Sequence, residues 1–216
     1  MSEKFNNYNF GEFKKRNLMN IIRPIGNLFC KTYYKVEYIG LENIDRNDKF
    51  IIAPNHVTEF DPLLIAMASK RLFYYIAKYE LFKNPILARA IIGLNGFPIM
   101  RGKGDMRAIN YAVELVRRGE VLCIFPEGTR SADGIPHEAK SGVGYIARHA
   151  CADVVPTAIY MENKDKKGSR VVVKFGEPIK YEDMGFTVGG KTSENKRVAK
   201  RVMDEIIRLW EECKWK

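Results

Sequence analysis

The chain has 216 residues, 46% of them hydrophobic, which is enough for one packed domain and too apolar for a disordered chain. Lys and Arg outnumber Asp and Glu by 36 to 26, a formal charge of +10 that favours anionic partners. The positive residues are scattered, and no zinc-finger spacing or RNA-binding signature accompanies them, so nucleic acid is not expected as a partner.

The N-terminus is polar and lacks the apolar core of a signal peptide. Residues 1–36 read as an amphipathic helical segment. Leu18, Ile21, Ile22, Ile25 and Phe29 recur at helical spacing, with Lys14, Lys15, Arg16, Arg23 and Lys31 around them. Such a stripe suits the headgroup boundary of an anionic membrane, and it equally suits packing on the protein's own core. Pro24 is expected to kink this helix or split it in two.

Residues 37–216 read as an α/β domain, a layered sheet flanked by helices. Phe50–Ala53 forms a short buried strand, and Asp61 and Pro62 look like the N-cap and first turn of a helix reaching about Lys70. Leu72–Ala77 is a strand and Leu81–Ile92 a helix. Gly96–Met100 is extended, and Asp105–Arg118 is helical, with Ala108, Ile109, Ala112, Val113 and Val116 on one face. The apolar run Val121–Phe125 marks a central strand. Ser141–Arg148 is a helix, Val154–Tyr160 and Val171–Phe175 are strands, and Lys196–Cys213 is a closing amphipathic helix. Alternating strands and helices argue for a layered α/β fold. The longest uncharged stretch, Ala90–Met100, falls well short of the roughly 20 residues that span a bilayer.

Two segments carry the chemistry. Histidine suits general-base work near neutrality, and Asp61 follows His56 by five positions. On one helix that offset sets them about 140° apart, so they meet only if the chain turns between them. Asp61 precedes a proline, which disfavours the α conformation there and predicts such a turn. An aspartate on one ring nitrogen would fix the tautomer and free the other to accept a proton. The bland alternative is an Asp61 that only caps its helix beside a structural His56.

The second segment, Phe125-Pro126-Glu127-Gly128-Thr129-Arg130, follows the central strand, where ligands of α/β sheets bind. Gly128 lets backbone amides approach an anion, Thr129 offers a hydroxyl and Arg130 a bidentate guanidinium. Arg101, after another extended segment, adds a second guanidinium. Taken singly, each arginine is more readily a solvated surface charge.

With these residues in place the chain resembles the glycerolipid acyltransferase family, and within it the 1-acylglycerol-3-phosphate acyltransferases. The family's His-x4-Asp motif is matched by His56 and Asp61, and its second motif by Gly96–Arg101. The third is matched in full by Phe125–Arg130 and the fourth by Val155-Pro156-Thr157. Order and spacing agree over roughly Gly40 to Glu177. Met100 departs, since many relatives carry an acidic residue before the arginine.

The resemblance implies a glycerol-phosphate acyltransferase-like fold and acyl transfer from acyl-CoA or acyl carrier protein to the sn-2 hydroxyl of lysophosphatidate. His56 would be the base and Asp61 its orienting partner. Arg101, Gly128, Thr129 and Arg130 would hold the phosphate, with Glu127 positioning neighbouring donors or the acceptor. No cofactor and no metal would be needed. The expected location is the cytoplasmic face of a membrane, peripherally bound. The rivals are an acyltransferase for another lysolipid or an amine, and a non-catalytic lipid-binding protein.

Other features read as structural. Gly185–Thr192 matches the phosphate-loop pattern GxxxxGK[ST], but no buried strand leads into it. The cysteines Cys30, Cys123, Cys151 and Cys213 are far apart, which argues against a disulfide framework or a zinc site and fits a reducing compartment. Cys123 reads as core, and His137 and His149 as surface or satisfied core residues.

Overall fold

The computed structural model describes residues 8–10, 18–102, 104–164 and 166–215. Seven strands form one sheet: β1 (Lys35–Ile39), β2 (Phe50–Pro54), β3 (Phe73–Lys78), β4 (Gly96–Ile99), β5 (Val121–Cys123), β6 (Asp153–Met161) and β7 (Arg170–Phe175). Their order is β1-β7-β6-β2-β5-β3-β4. From β6 through β2, β5 and β3 to β4 all neighbours are parallel. At the other end β7 runs antiparallel to β6, and β1 runs parallel to β7.

A central strand must be apolar on both faces, and β2 shows why this sequence supplies one. Ile51 and Ala53 join one core, and Phe50 and Ile52 join the other. The first core is covered by α4 (Met106–Arg117), α5 (Gly142–Ala150) and α6 (Thr192–Lys214), through residues such as Ala112, Ile146 and Val202. The second is covered by α1 (Leu18–Tyr33) and α2 (Asp61–Met67), through Met19, Cys30, Leu64 and Ile65. The layered α/β expectation is met.

Helix α1 runs through Pro24 without splitting in two. Lys14, Lys15 and Arg16 lie outside the described residues. One face of α1 is core and one is bare. Gly26 allows α1 to approach α2 closely, because a Cβ there would come within 2.7 Å of the Met67 sulfur and 3.2 Å of Leu63. Arg23 is turned inward from the expected basic flank, donating to the carbonyls of Ala66, Ser69 and Lys70 at the end of α2. On the other face Ile21, Ile25 and Leu28 are 72%, 69% and 63% exposed.

Several boundaries differ from expectation for identifiable reasons. Strand β1 was not anticipated, and the boundary drawn at residue 36 falls inside it. Its alternation Lys35-Val36-Glu37-Tyr38 is that of an edge strand, with Lys35 and Glu37 exposed. The helix expected over Leu81–Ile92 is two pieces, a 3-10 turn (Tyr79–Lys83) and α3 (Pro85–Gly93). Asn84 breaks them: its side chain accepts from the Ile86 and Leu87 N–H groups, capping α3 with Pro85 in the first turn. Helix α2 ends at Met67, short of Lys70, β5 stops at Cys123, short of Phe125, and α6 begins at Thr192, ahead of Lys196.

Candidate active site

Three parallel strands, β2, β5 and β4, deliver their following loops to the same edge of the sheet. After β2 comes Asn55, fully buried, whose side chain donates to the Ile159 carbonyl and accepts from the Ile159 N–H at 3.0 and 2.7 Å. An amide side chain thus imitates one more backbone pairing between β2 and β6, and it sets where the next residue emerges.

That residue is His56. Its N–H donates to Glu127 Oε1 at 2.8 Å, and its carbonyl accepts from the Ser131 N–H at 2.8 Å. The loop after β5 therefore grips His56 from both sides. Phe125 of the same loop stacks on the imidazole, with centroids 4.1 Å apart and planes 25° apart.

Asp61 is fully buried. It begins α2 without capping it, contrary to the N-cap reading, and its carboxylate is turned back onto the preceding loop. Oδ2 receives His56 Nδ1 at 2.7 Å, the Val57 N–H at 2.6 Å and the Thr58 N–H at 2.9 Å. Oδ1 accepts from the Thr58 hydroxyl at 2.9 Å. A carboxylate so surrounded by donors acts as an acceptor, so Nδ1 carries the ring proton and Nε2 presents a lone pair. The turn expected between His56 and Asp61 is present, and these hydrogen bonds hold it.

The structure separates the residues assigned to phosphate binding. Arg101 and Gly128 line a cavity of about 220 Å³, together with Ile99, Ile109, Ile124 and Lys140. Phe125 also lines it, so the stacked imidazole is one ring away. Gly128 sits at φ +70°, left-handed backbone that glycine adopts without strain, and its N–H closes a turn on the Phe125 carbonyl. Thr129 and Arg130 are exposed and do not line the cavity. Arg130 is held in an ion pair by Glu59.

Glu127 is buried beneath the loop, with Oε1 on the His56 N–H and Oε2 on the His137 N–H at 3.2 Å. Burial pushes its carboxyl above the usual glutamate range, and the two N–H groups oppose that shift. Burial likewise draws the Arg101 guanidinium down, opposed by Glu80.

Asn55, Ser131 and Lys140 escaped the sequence reading. Asn55 had a signal, a polar residue buried directly after an apolar strand. Ser131 and Lys140 had none, because both act through the return of the chain after Arg130. Residues Val155-Pro156-Thr157 lie on β6 and pair with β2, supporting the site from behind. In the Gly185–Thr192 loop, Thr187 donates through its N–H and hydroxyl to the Glu194 carboxylate, so an internal acid takes up these anion-binding donors. Cys123 is buried with its thiol pushed up by burial, as a core residue would be. His137 and His149 are exposed; His137 is paired with Asp133, and His149 lies against Tyr145.

The chain is similar to known proteins. A 1-acyl-sn-glycerol-3-phosphate acyltransferase of Streptococcus pneumoniae is 31% identical over 178 residues, which are 79% of this chain and 64% of that protein. That is just under two thirds of the relative's length. One from Bacillus subtilis is 28% identical, with 68% and 75% covered. The crystal structure of the 1-acyl-sn-glycerophosphate acyltransferase of Thermotoga maritima superposes with a TM-score of 0.74 at 28% identity, covering 92% of this chain and 80% of that one. The acyltransferase family model matches residues 35–160, from β1 through β6 and across the whole site just described. The chain belongs to the acyltransferase family.

Proposed function

We propose that this protein transfers an acyl group from a thioester to the sn-2 hydroxyl of lysophosphatidate, giving phosphatidate. The observation that carries the reading is His56 Nδ1 at 2.7 Å from a buried Asp61, beside a cavity with cationic side chains. His56 Nε2 takes the proton of the acceptor hydroxyl as its oxygen attacks the thioester carbonyl. The tetrahedral intermediate expels a thiolate, which receives the proton from the imidazolium. Asp61 holds the tautomer and faces the positive charge that develops. The acceptor's phosphate occupies the cavity, near Arg101 and the Gly128 turn, with Thr129 and Arg130 at the approach once Arg130 exchanges Glu59 for phosphate oxygens. A positioned base contributes about 10²–10⁴-fold, so anchoring the acceptor's charged end supplies much of the remainder.

Acyl-CoA and acyl carrier protein both present a thioester on an acidic carrier, and the +10 chain suits either. Purified protein is offered lysophosphatidate with each donor in parallel, beside His56→Ala, and products are read by mass spectrometry. Phosphatidate from the wild type and a loss of about 10²-fold or more in the variant is expected. Undiminished product from His56→Ala would reject the mechanism, and no phosphatidate from folded wild type with either donor would reject the acceptor.

The site takes its substrates from a membrane surface in this reading, at the cytoplasmic face. No helix among the described residues is long and apolar enough to cross a membrane. The exposed Ile21, Ile25 and Leu28 recur at helical spacing, and Phe29 on the same helix lies 5.1 Å from Phe60 in the loop that carries His56. Each such aliphatic side chain moved out of water contributes roughly 1.5–3 kcal/mol. Replacing all three with Gln should lower sedimentation with anionic vesicles by at least about 100-fold while leaving Tm within a few degrees. Unchanged sedimentation would remove α1 as the membrane contact.

A further inference from the structure

Lys140 lies ten positions beyond Arg130, outside the motif that named the phosphate site. Its N–H donates to the Pro126 carbonyl at 2.9 Å, which brings the returning chain back beside the Gly128 turn. The side chain then runs over Gly128. A Cβ at that glycine would lie 3.1 Å from Lys140 Cδ and 3.0 Å from Nζ. Lys140 lines the same cavity as Arg101.

The charge balance of that cavity is uneven. Asp105 is the one carboxylate in its lining, and its oxygens already accept from the Met100 and Ala108 N–H groups. Neither the Arg101 guanidinium nor the Lys140 ammonium makes a hydrogen bond or an ion pair among the described residues. Arg130, the other guanidinium assigned to the phosphate, is engaged by Glu59. Arg101 and Lys140 are both exposed where they line this cavity, two like charges that an anion bound between them would neutralise. The free space and the open left-handed turn at Gly128 provide for one.

We propose that Lys140 binds the phosphate of the acceptor jointly with Arg101, a role that rests on the lysophosphatidate reading above. Arg101 offers a planar fork and Lys140 a compact charge held over the Gly128 turn. Arg130, engaged by Glu59, does not line the cavity. An acceptor without a phosphate leaves both cations unneutralised, which is how the site would discriminate against neutral monoacylglycerols.

The test measures binding apart from turnover. Calorimetric titration with a short-chain, non-micellar lysophosphatidate compares wild type, Lys140→Met and Lys140→Arg, with the matching monoacylglycerol as the neutral ligand. Losing one charge-assisted contact should raise Kd for lysophosphatidate about tenfold or more in the Met variant. The Arg variant should recover most of the affinity, and monoacylglycerol binding should not change. In turnover the loss should fall on KM for the acceptor rather than on kcat. Equal Kd for wild type and Lys140→Met would overturn the assignment. So would equal weakening of both ligands without recovery in Lys140→Arg, which marks a packing role. A wild type that binds lysophosphatidate but never acylates it rejects the acyl-transfer reading, and the lysine is still judged by the binding data.

Discussion

Asp61→Asn should lower turnover by about 10³-fold or more while leaving a folded protein. The aspartate accepts from His56 Nδ1, two backbone N–H groups and a hydroxyl. Asparagine keeps one oxygen acceptor and points an NH2 group at donors. Either a backbone N–H loses its partner, or the imidazole turns over its tautomer and puts the proton on Nε2, where it blocks base catalysis. Wrong-tautomer substitutions of this kind cost about 10⁴-fold elsewhere. The buried mismatch should also cost about 1–3 kcal/mol of stability. Paired measurements of kcat and Tm separate the two effects. An Asn variant with wild-type kcat would mean that His56 is not working as a base.

Glu127→Gln should lower kcat by about 100-fold without improving acceptor binding. Were the carboxylate facing the phosphate, neutralising it would relieve repulsion and tighten binding. Its two oxygens instead receive the His56 and His137 N–H groups. A glutamine serves only one of them and turns a donor toward the other. The consequence is a displaced His56 backbone, and a misplacement of about 1 Å can cost about 100-fold. A lower KM in the Gln variant would show that the carboxylate faces the acceptor after all.

The same residue makes a signed prediction in pH. Burial raises the Glu127 carboxyl above the glutamate range, so folding favours its protonated form. That contribution is fully present below the unfolded value of about 4.3 and is lost as pH rises through the raised one. Wild type should therefore gain stability relative to Glu127→Gln as pH falls through that window. A Tm difference that is flat across it would count against a buried, titrating Glu127.

What was legible in the sequence had strong local periodicity or a tight motif. Helices α4 and α6 were read from their apolar faces. His56 and Asp61 were read from spacing across a predicted turn, although Asp61 was equally consistent with a cap. The carboxylate that could cap α2 is drawn away by donors in the preceding loop, a choice made only by tertiary packing. Strand β1 was overlooked because a short edge strand carries charges on one side, and the start of α3 was set too early because the break at Asn84 and Pro85 lies inside the expected helix. Lys140 illustrates the harder limit. Nothing within its own neighbourhood marks it, and its place depends on a hydrogen bond to Pro126 from fourteen residues away.

Arg23 has a mechanical consequence. It fastens α1 to the Ala66 carbonyl of α2 and to those of Ser69 and Lys70 just beyond it, and the first residue of α2 is the aspartate behind His56. Arg23 therefore ties the helix that carries the bare isoleucines to the element that begins at the partner of the imidazole. In the membrane-surface reading proposed above, a surface that captured those side chains would set the height at which His56 rides above it. On that reading an acceptor hydroxyl would be met at a constant depth, and loosening Arg23 would change which depth is reached before it changed the chemistry.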